Sequence, residues 1–483
     1  MQIDTKKLAS WEKVLPPESN TPIYFCNPKL APYLQNPLTY QSAKEILNRF
    51  PSSFNIDLNQ NGFPPAAERD VDKDDTNYHA IWVRDSAWVY FYFKVFSPEK
   101  ARTLINRLID YYISEKQHAR FLNIISSPEL AKDKMQVPHI RFDGTDEHLD
   151  DVIVDGKPEI WNHKQMDAHG LFLLALADAF QSGWINAQHH VILANLIDLF
   201  IQFFETIEYY HYEDAGAWEE IDKVNTSSIT LVTNALFAWQ KIADEQQIIL
   251  SQENKITSLA EKGLQTIKTN LQKGGESAGY DKDDLRYRQA DAALLHILTP
   301  VMFSKLEQKE YQIILDLIET KLLRTHGIIR YVKDSYQSGN YWLKTKKTQD
   351  EPSLTGDSSD AASFQARENA MPANTEAEWF FDSMLALAYI SCYRSNKLLS
   401  TQESIKAKAA YHIKRALAQM TKSNTLAADG ALLKGELLPE SINTLKIKDQ
   451  KHYAPSPITP LNWAKASLAL ALNAFISLDK EVS

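Results

Sequence analysis

Cysteine and glycine are both scarce in this chain. The two cysteines, Cys26 and Cys392, among 483 residues are too few for a disulfide framework or a thiolate metal site. The 15 glycines are few for an α/β or all-β protein, whose turns and bulges consume glycine. The composition therefore favours a helical protein without cysteine-based cross-links or metal sites.

Runs of positive charge and long apolar runs are also missing. The formal net charge is −10, and an acidic chain without a Lys/Arg run repels phosphate backbones, so nucleic acid is not an expected partner. No apolar stretch approaches membrane-spanning length, and 171–180 is soon followed by polar residues, as in a buried helix. The first 20 residues lack the apolar core of a signal peptide. We therefore expect a soluble cytoplasmic protein that does not enter membranes.

Helical periodicity is present along most of the chain after residue 40. It predicts twelve helices, over 41–50, 83–96, 98–115, 163–182, 185–208, 228–247, 253–273, 287–297, 304–322, 376–396, 402–422 and 459–478. Short gaps join some helices in pairs, and long loops separate one pair from the next. Because short-linked helices pack as antiparallel hairpins, we predict an all-α fold, an (α/α)6 toroid with long loops gathered at one rim.

The domain organisation follows from the same pattern. Residues 1–40 are rich in Pro and Asn, which predicts an irregular N-terminal segment packing on the barrel. Residues 41–483 are predicted to form one barrel domain. Within it, 337–375 is rich in Ser, Thr, Gln, Asp and Ala, so we expect a mobile excursion there.

Aromatic, arginine and acidic residues precede or open the predicted inner helices. The set comprises Trp82, Arg84, Asp85, Trp161, Trp218, Glu219, Glu220, Arg330 and Glu440. Because these positions lie at the rim of long loops, they are expected to converge on one site. Aromatic platforms combined with Arg and Asp side chains suit a neutral sugar, which offers hydroxyl groups and weakly apolar faces.

Two carboxyl groups of this set suit cleavage of a glycosidic bond. That reaction needs one carboxylic acid to protonate the leaving oxygen and a second carboxylate to activate water or attack the anomeric carbon. In the pair Glu219–Glu220, like-charge repulsion can raise one pKa, and Trp218 adds a desolvating wall. Glu440 is the candidate base, and Glu436, four residues earlier, is its rival.

These motifs resemble the glucoamylase family, glycoside hydrolase family 15. Residues 82–87 resemble its W-x-R-D-S-A segment, 217–220 its W-E-E segment with the general acid, and 438–441 its P-E-Q segment with the general base. Ser441 stands where Gln is usual in that segment. The resemblance runs from about Tyr78 to Leu470, and the family's (α/α)6 barrel agrees with the predicted toroid.

The resemblance implies a role for each residue of the set. Glu219 is then the general acid and Glu440 the general base, whereas the terminal glucose is held by Arg84, Asp85 and Arg330, with Glu220 and Trp161 close by. The implied enzyme is an exo-acting, inverting α-glucosidase that releases β-D-glucose, with malto-oligosaccharides as the expected substrates. No metal and no organic cofactor is implied.

Two alternatives stay open on the same fold. Segments 161–173, 291–300 and 378–379 are also similar to the barrel of the phosphorylase kinase α and β regulatory subunits, which implies a sugar-binding regulatory module without turnover. The second alternative is a hydrolase of trehalose or isomalto-oligosaccharides. The complete acid and base pair favours an enzyme.

Trp379 lies inside the predicted helix 376–396 and is interpreted as a core residue. The oligomeric state stays open.

Overall fold

The computed structural model describes residues 3–67, 78–344 and 359–480. Six helical elements form a closed inner ring, in which each element contacts the next and the last contacts the first. They are Val83–Phe96, Met166–Gln181, Thr226–Asp244, the 3-10 helix Ala292–Ile297, Asp382–Ser395 and Asn462–Lys480. In the first of these, every residue from 83 to 93 is buried, including Arg84 and Asp85 in the first turn.

The other long helices surround this ring. They are Tyr40–Arg49, Pro98–Ile113, Glu115–Ser126, Ala187–Thr206, Glu253–Lys273, Gln308–Leu317 and Gln402–Ala418. Pro98–Ile113, Glu253–Lys273 and Gln402–Ala418 each pack on the inner element that precedes them in the chain, and Tyr40–Arg49 packs on Asn462–Lys480. The prediction of an all-α (α/α)6 toroid is therefore confirmed.

Short strands and turns occupy the connections. The strand pairs are Glu12–Val14 with Ile23–Phe25, Ile81–Trp82 with Arg141–Phe142, Ile153–Val154 with Lys157–Pro158, and Thr425–Leu426 with Leu432–Leu433. A three-stranded antiparallel sheet has the order Gln450–Pro455, Ser441–Ile447 and Glu378–Trp379. Short helical segments are Thr5–Lys7, Pro28–Leu30, Ala31–Gln35, Pro51–Phe54, Pro128–Lys132, Gly216–Trp218, Ile318–Leu322, Tyr341–Lys344 and Ala361–Ala370.

Several helix predictions were wrong in type or extent. The predicted helix 287–297 is a six-residue 3-10 helix that starts after Asp291. Pro300 follows closely, and a helix does not continue through a proline, because its ring clashes with the preceding turn and it has no backbone N–H. The predicted helix 376–396 begins only at Asp382, because Glu378–Trp379 pairs as a strand with the segment that follows Glu440. The helix Glu115–Ser126 was not predicted. It follows Pro98–Ile113 after a break at Ser114, whose ψ of 151° is not helical.

The N-terminal segment and the excursion are partly regular. The strand Ile23–Phe25 contacts the outer helix Gln402–Ala418. In the predicted excursion, Ala361–Ala370 is helical, whereas 345–358 lie outside the described residues. Across the described part of the chain, no helix has both the length and the apolar character required to cross a membrane.

Candidate active site

A pocket of about 230 Å³ opens at the rim where the inner helices begin. Eight of the nine predicted site residues line it, namely Trp82, Arg84, Asp85, Trp161, Trp218, Glu219, Arg330 and Glu440. The other lining residues include Tyr78, Tyr336, Arg367, Trp379 and Trp463. The structure thus brings together, from loops distant in sequence, nearly the whole set.

A tight bend separates Glu219 from Glu220. The 3-10 turn Gly216–Trp218 ends at Glu219, whose backbone is left-handed with φ 61°. Such a conformation is costly for a residue with a Cβ, and it occurs chiefly where surrounding structure enforces it. Gly216 also has a positive φ of 59°, and a Cβ there would lie 2.7 Å from Nδ2 of Asn225. The bend leaves Glu219 at the pocket and its neighbour in the interior.

Glu219 retains a pocket-facing carboxyl group with 17% of its side chain exposed. Nη1 of Arg84 lies 3.4 Å from its Oε1. Burial raises the pKa of Glu219, and the positive charges of Arg84 and Arg141 oppose that shift without cancelling it. A carboxyl group in this state can hold a proton at a higher pH than an exposed glutamate does.

Glu220 lies beneath the pocket and does not line it. Its Oε1 accepts hydrogen bonds from Nη2 of Arg330, at 2.9 Å, and from the hydroxyl of Tyr331, at 2.6 Å. Burial disfavours its charge, yet Arg330 and Lys223 hold the pKa of Glu220 below its ordinary value. The predicted repulsion within the pair is therefore not what raises the pKa of Glu219, because the adjacent carboxyl groups have separate environments.

Two of the arginines that line the pocket, Arg84 and Arg330, are fixed by buried carboxylates. Nε of Arg84 donates to Oδ2 of Asp167 at 2.5 Å, and its Nη2 donates to Oε1 of Gln165. Arg330 forms a bidentate ion pair with Asp334, in which Nε donates to Oδ2 at 2.7 Å and Nη2 donates to Oδ1 at 2.6 Å. Paired in this way, a guanidinium can present its remaining N–H groups to a ligand in one orientation. Asp334 was not predicted, although its position four residues after Arg330 was a usable signal.

Asp85 is a further carboxyl group of the pocket. It is 9% exposed, and burial raises its pKa to about 7, against the lowering effect of the adjacent Arg84. Near neutral pH this side chain can therefore be protonated and donate a hydrogen bond, or be ionised and only accept one.

Two groups of aromatic rings line the walls. Trp218 donates a 2.7 Å hydrogen bond from Nε1 to Oδ1 of Asp291, and its ring lies 6.4 Å from that of Trp379. Trp82 and Trp161 lie 6.0 Å apart, and the Arg141 guanidinium lies 4.0 Å from the Trp161 ring. These rings offer apolar faces beside the charged groups.

The prediction that Trp379 lies in a helix was wrong, whereas its side chain is buried in the hydrophobic core as predicted. Trp379 belongs to the strand Glu378–Trp379, pairs with Ser441 and lines the pocket. Since this pairing joins residues 62 positions apart, helical periodicity gave no sign of it.

Glu440 lies on the pocket wall, immediately before the strand Ser441–Ile447. Its Oε1 accepts a 2.9 Å hydrogen bond from the hydroxyl of Tyr78, and its Oε2 accepts one from the side-chain amide of Gln337. Glu436, the rival base, does not line the pocket and instead forms an ion pair with Lys29. Geometry therefore favours Glu440 over Glu436.

Several residues that contact this wall were not predicted from the sequence. The hydroxyl groups of Tyr78 and Tyr336 lie 2.8 Å apart, and Gln337 follows directly. Tyr78 adjoins the motif that begins at Trp82, which was a weak signal. Gln337 carried no signal, because it belongs to the polar excursion. Among the described residues, no group of three or more His, Cys, Asp or Glu side chains is arranged to hold a metal ion.

The rim pocket of this barrel combines carboxyl groups, arginines and aromatic rings, which is the arrangement of a site for a polar small molecule. The family model "Glycosyl hydrolases family 15" matches residues 56–422. Because this match covers most of the chain, the chain belongs to that family of glycoside hydrolases.

Individual relatives match parts of the chain. The uncharacterized lipoprotein YgeQ of Escherichia coli (strain K12) is 34% identical over 157 residues, which are 31% of this chain and 59% of that protein. The phosphorylase b kinase regulatory subunit alpha, skeletal muscle isoform, of Oryctolagus cuniculus is 27% identical over 187 residues, 37% of this chain and 14% of that one. The match thus spans less than two thirds of either relative's length.

Solved structures share the fold at low sequence identity. A glycosidase structure superposes with a TM-score of 0.55 at 13% identity, covering 90% of this chain and 95% of the other. The glucoamylase from Saccharomycopsis fibuligera gives a TM-score of 0.51 at 14% identity, covering 92% and 97%. These likenesses support the six-hairpin fold.

Proposed function

We propose that this protein is an exo-acting, inverting α-glucosidase that releases β-D-glucose from malto-oligosaccharides. The observation that carries the proposal is the presence of Glu219 and Glu440 on one small pocket. Each of the two has the environment that one half of the reaction needs. The membership of the chain in a glycoside hydrolase family supports the reaction class.

Glu219 would act as the general acid. Its raised pKa keeps a proton available for the glycosidic oxygen, which must be protonated as its bond to the anomeric carbon breaks. Glu440 would act as the general base and remove a proton from water as that water attacks the opposite face of the anomeric carbon. Tyr78 donates to Glu440, which holds the carboxylate in place while it accepts that proton.

The pocket supports an exo mode of action. Its volume of about 230 Å³ lies below the range of about 300–1,000 Å³ typical of pockets for larger ligands. A terminal sugar fits such a space better than the middle of a chain does. Arg84, Asp85 and Arg330 line it and would bind the hydroxyl groups of that sugar, with Trp82, Trp161 and Trp218 as apolar walls and Glu220 holding Arg330 from below.

The test is sugar release from maltose, maltotriose, isomaltose and trehalose, with the product anomer detected by NMR. Wild type is compared with Glu219→Gln and Glu440→Gln, and Glu436→Gln is the matched control because that carboxyl group lies outside the pocket. We expect β-glucose from wild type and the control and none from the two site variants. The anomer is judged on maltotriose, because there the first glucose released comes from the non-reducing end alone, whereas maltose and trehalose also release the leaving glucose, which can be the α anomer. α-Glucose as the first product from maltotriose would overturn the inverting mechanism.

A second candidate is a regulatory module that binds sugar without turnover. The similarity to the phosphorylase b kinase regulatory subunit alpha over 187 residues favours it. A folded protein that binds one of the four sugars in calorimetry but hydrolyses none would support this alternative. Hydrolysis of isomaltose or trehalose in preference to maltose would instead reassign the linkage.

Two further expectations stay predictions. We propose that 41–483 form the catalytic domain, with 1–40 as a segment packed on it, which limited proteolysis followed by mass spectrometry tests. The expected cytoplasmic location is tested by fractionating cells and detecting the chain in each fraction.

A further inference from the structure

We propose that Gln337 is a positioning residue that holds Glu440 in its ionised form and in one orientation. This inference rests on the proposed function, because it concerns the carboxylate that would act as base. It also gives a role to the start of the polar excursion, which is 103 positions away from Glu440 in the sequence.

A chain of hydrogen bonds leads to the carboxylate. Nε2 of Gln337 donates to Oε2 of Glu440, and Oγ of Ser441 donates to Oε1 of Gln337 at 2.9 Å. Nδ2 of Asn443 donates to the main-chain oxygen of Gln337, also at 2.9 Å. Gln337 and Asn443 are fully buried and Glu440 is 4% exposed, so water does not readily replace these contacts.

These contacts fix which way the amide of Gln337 faces. Its Oε1 is approached by a Ser441 hydroxyl group and, at 3.3 Å, by the Nδ2 donor of Asn443. A flipped amide would place its NH2 group against the Nδ2 donor of Asn443 on that side and its oxygen against the Glu440 carboxylate on the other. The amide N–H therefore faces the carboxylate.

The backbone of Gln337 is also held in an uncommon conformation. Its φ is 58°, a left-handed value that residues with a Cβ adopt where neighbouring structure enforces it. The Asn443 contact with the main-chain oxygen supplies such a constraint. Gln337 thus has its backbone and its side chain secured by the strand that begins one residue after Glu440.

The consequence for the base concerns its charge. Gln337 and Tyr78 donate to different oxygens of Glu440, and hydrogen bonds donated to a carboxylate stabilise its ionised form. Only that form can accept a proton from water. Ser441, which stands where the family segment usually has Gln, takes part by orienting the amide of Gln337.

The test is Gln337→Met, which keeps the length of the side chain and removes the donor. We expect kcat to fall on the order of tenfold, a part of the roughly 100-fold to 10,000-fold that a general base contributes, with KM changed much less. The acid limb of the kcat/KM profile should move to higher pH. A purely structural role would lower the fraction of active enzyme and leave the pH profile in place, and that result would overturn the inference.

A second variant keeps the test decisive if Gln337→Met fails to fold. Ser441→Ala removes the group that orients the amide, so the acid limb should move in the same direction by a smaller amount; no movement would overturn the inference. Ser383→Ala is the control, since Ser383 is a buried serine whose hydroxyl group bonds to that of Ser467 at 2.7 Å and which does not line the pocket.

The outcomes separate the two proposals. Wild type without hydrolysis of any of the four sugars would overturn the proposed function and this role with it. Wild type that hydrolyses, together with variants that keep its pH profile, would overturn the role of Gln337 alone.

Discussion

Nη2 of Arg330 donates a 2.9 Å hydrogen bond to Oε1 of Glu220, the residue directly after the proposed acid. The same guanidinium is held by Asp334 at 2.6 and 2.7 Å. Its ring neighbours include Trp218 and Trp379, at 5.4 and 5.1 Å from the two ring centroids. One arginine is thereby fixed by two carboxylates from different segments beneath the aromatic wall.

Glu220→Gln should weaken substrate binding without removing catalysis. The amide oxygen can still accept from Tyr331, but Arg330 loses one of its two counter-charges and is held less firmly. We expect kcat/KM for maltotriose to fall about tenfold, equivalent to about 1.4 kcal/mol, mainly through KM. The control is Asp284→Asn, which breaks a more exposed pair with Arg286 and should leave the kinetics unchanged. A large fall in kcat at constant KM would contradict this role.

Gly216→Ala should disturb the acid loop. An alanine at φ 59° costs about 1–2 kcal/mol, and its Cβ would meet Nδ2 of Asn225 at 2.7 Å, so Glu219, three residues on, should shift. Gly183→Ala is a matched control, because its φ is 68° but nothing lies within 4 Å of the added Cβ. Urea unfolding should show a loss of stability in both variants from the positive φ, and a larger loss in Gly216→Ala because of the additional clash with Asn225. We expect kcat to fall only in Gly216→Ala.

Arg141→Met should move the alkaline limb of the kcat profile to higher pH. The charge of Arg141 lowers the pKa of Glu219, so its removal raises that pKa and the acid stays protonated further into the alkaline range. Arg120→Met removes an arginine paired with Asp151 instead and should leave the limb in place. An alkaline limb that moves to lower pH in Arg141→Met would exclude Glu219 as the acid.

Glu276→Gln should reduce the amount by which the free energy of unfolding declines as pH rises towards 8. Burial raises the pKa of Glu276 to about 8, with Asp291 adding to the effect. The folded state therefore retains a proton that an unfolded glutamate releases above about pH 4.3, and the free energy of unfolding declines as pH rises from there towards 8. Each tenfold difference in proton affinity between the folded and unfolded states corresponds to about 1.4 kcal/mol.

Urea unfolding at pH 5 and pH 8 measures this decline. The Gln variant has no such proton, so its stability relative to wild type should be higher at pH 8 than at pH 5. The exposed Glu205, which pairs with Lys255, provides the control Glu205→Gln, in which wild-type pH dependence is expected. Equal pH dependence in wild type and Glu276→Gln would show that this carboxyl group is ionised in the folded state.

The sequence by itself determined the barrel and most of the pocket set. Apolar spacing is a local property, and it placed Val83–Phe96 and Glu253–Lys273 with the bounds that the structure has. Arg84 lies in the first turn of an inner helix and Glu440 in the long connection before the last one, so the alternation of short and long gaps was sufficient to predict that both lie at one rim.

Only the tertiary structure decided how individual side chains share that rim. The strand pairing of Trp379 with Ser441, the burial of Glu220 beneath Arg330 and the contact of Gln337 with Glu440 each join residues more than 60 positions apart. Such contacts depend on the closure of the ring and on which polar groups must find partners once they are removed from water. No periodicity or local spacing carries that information.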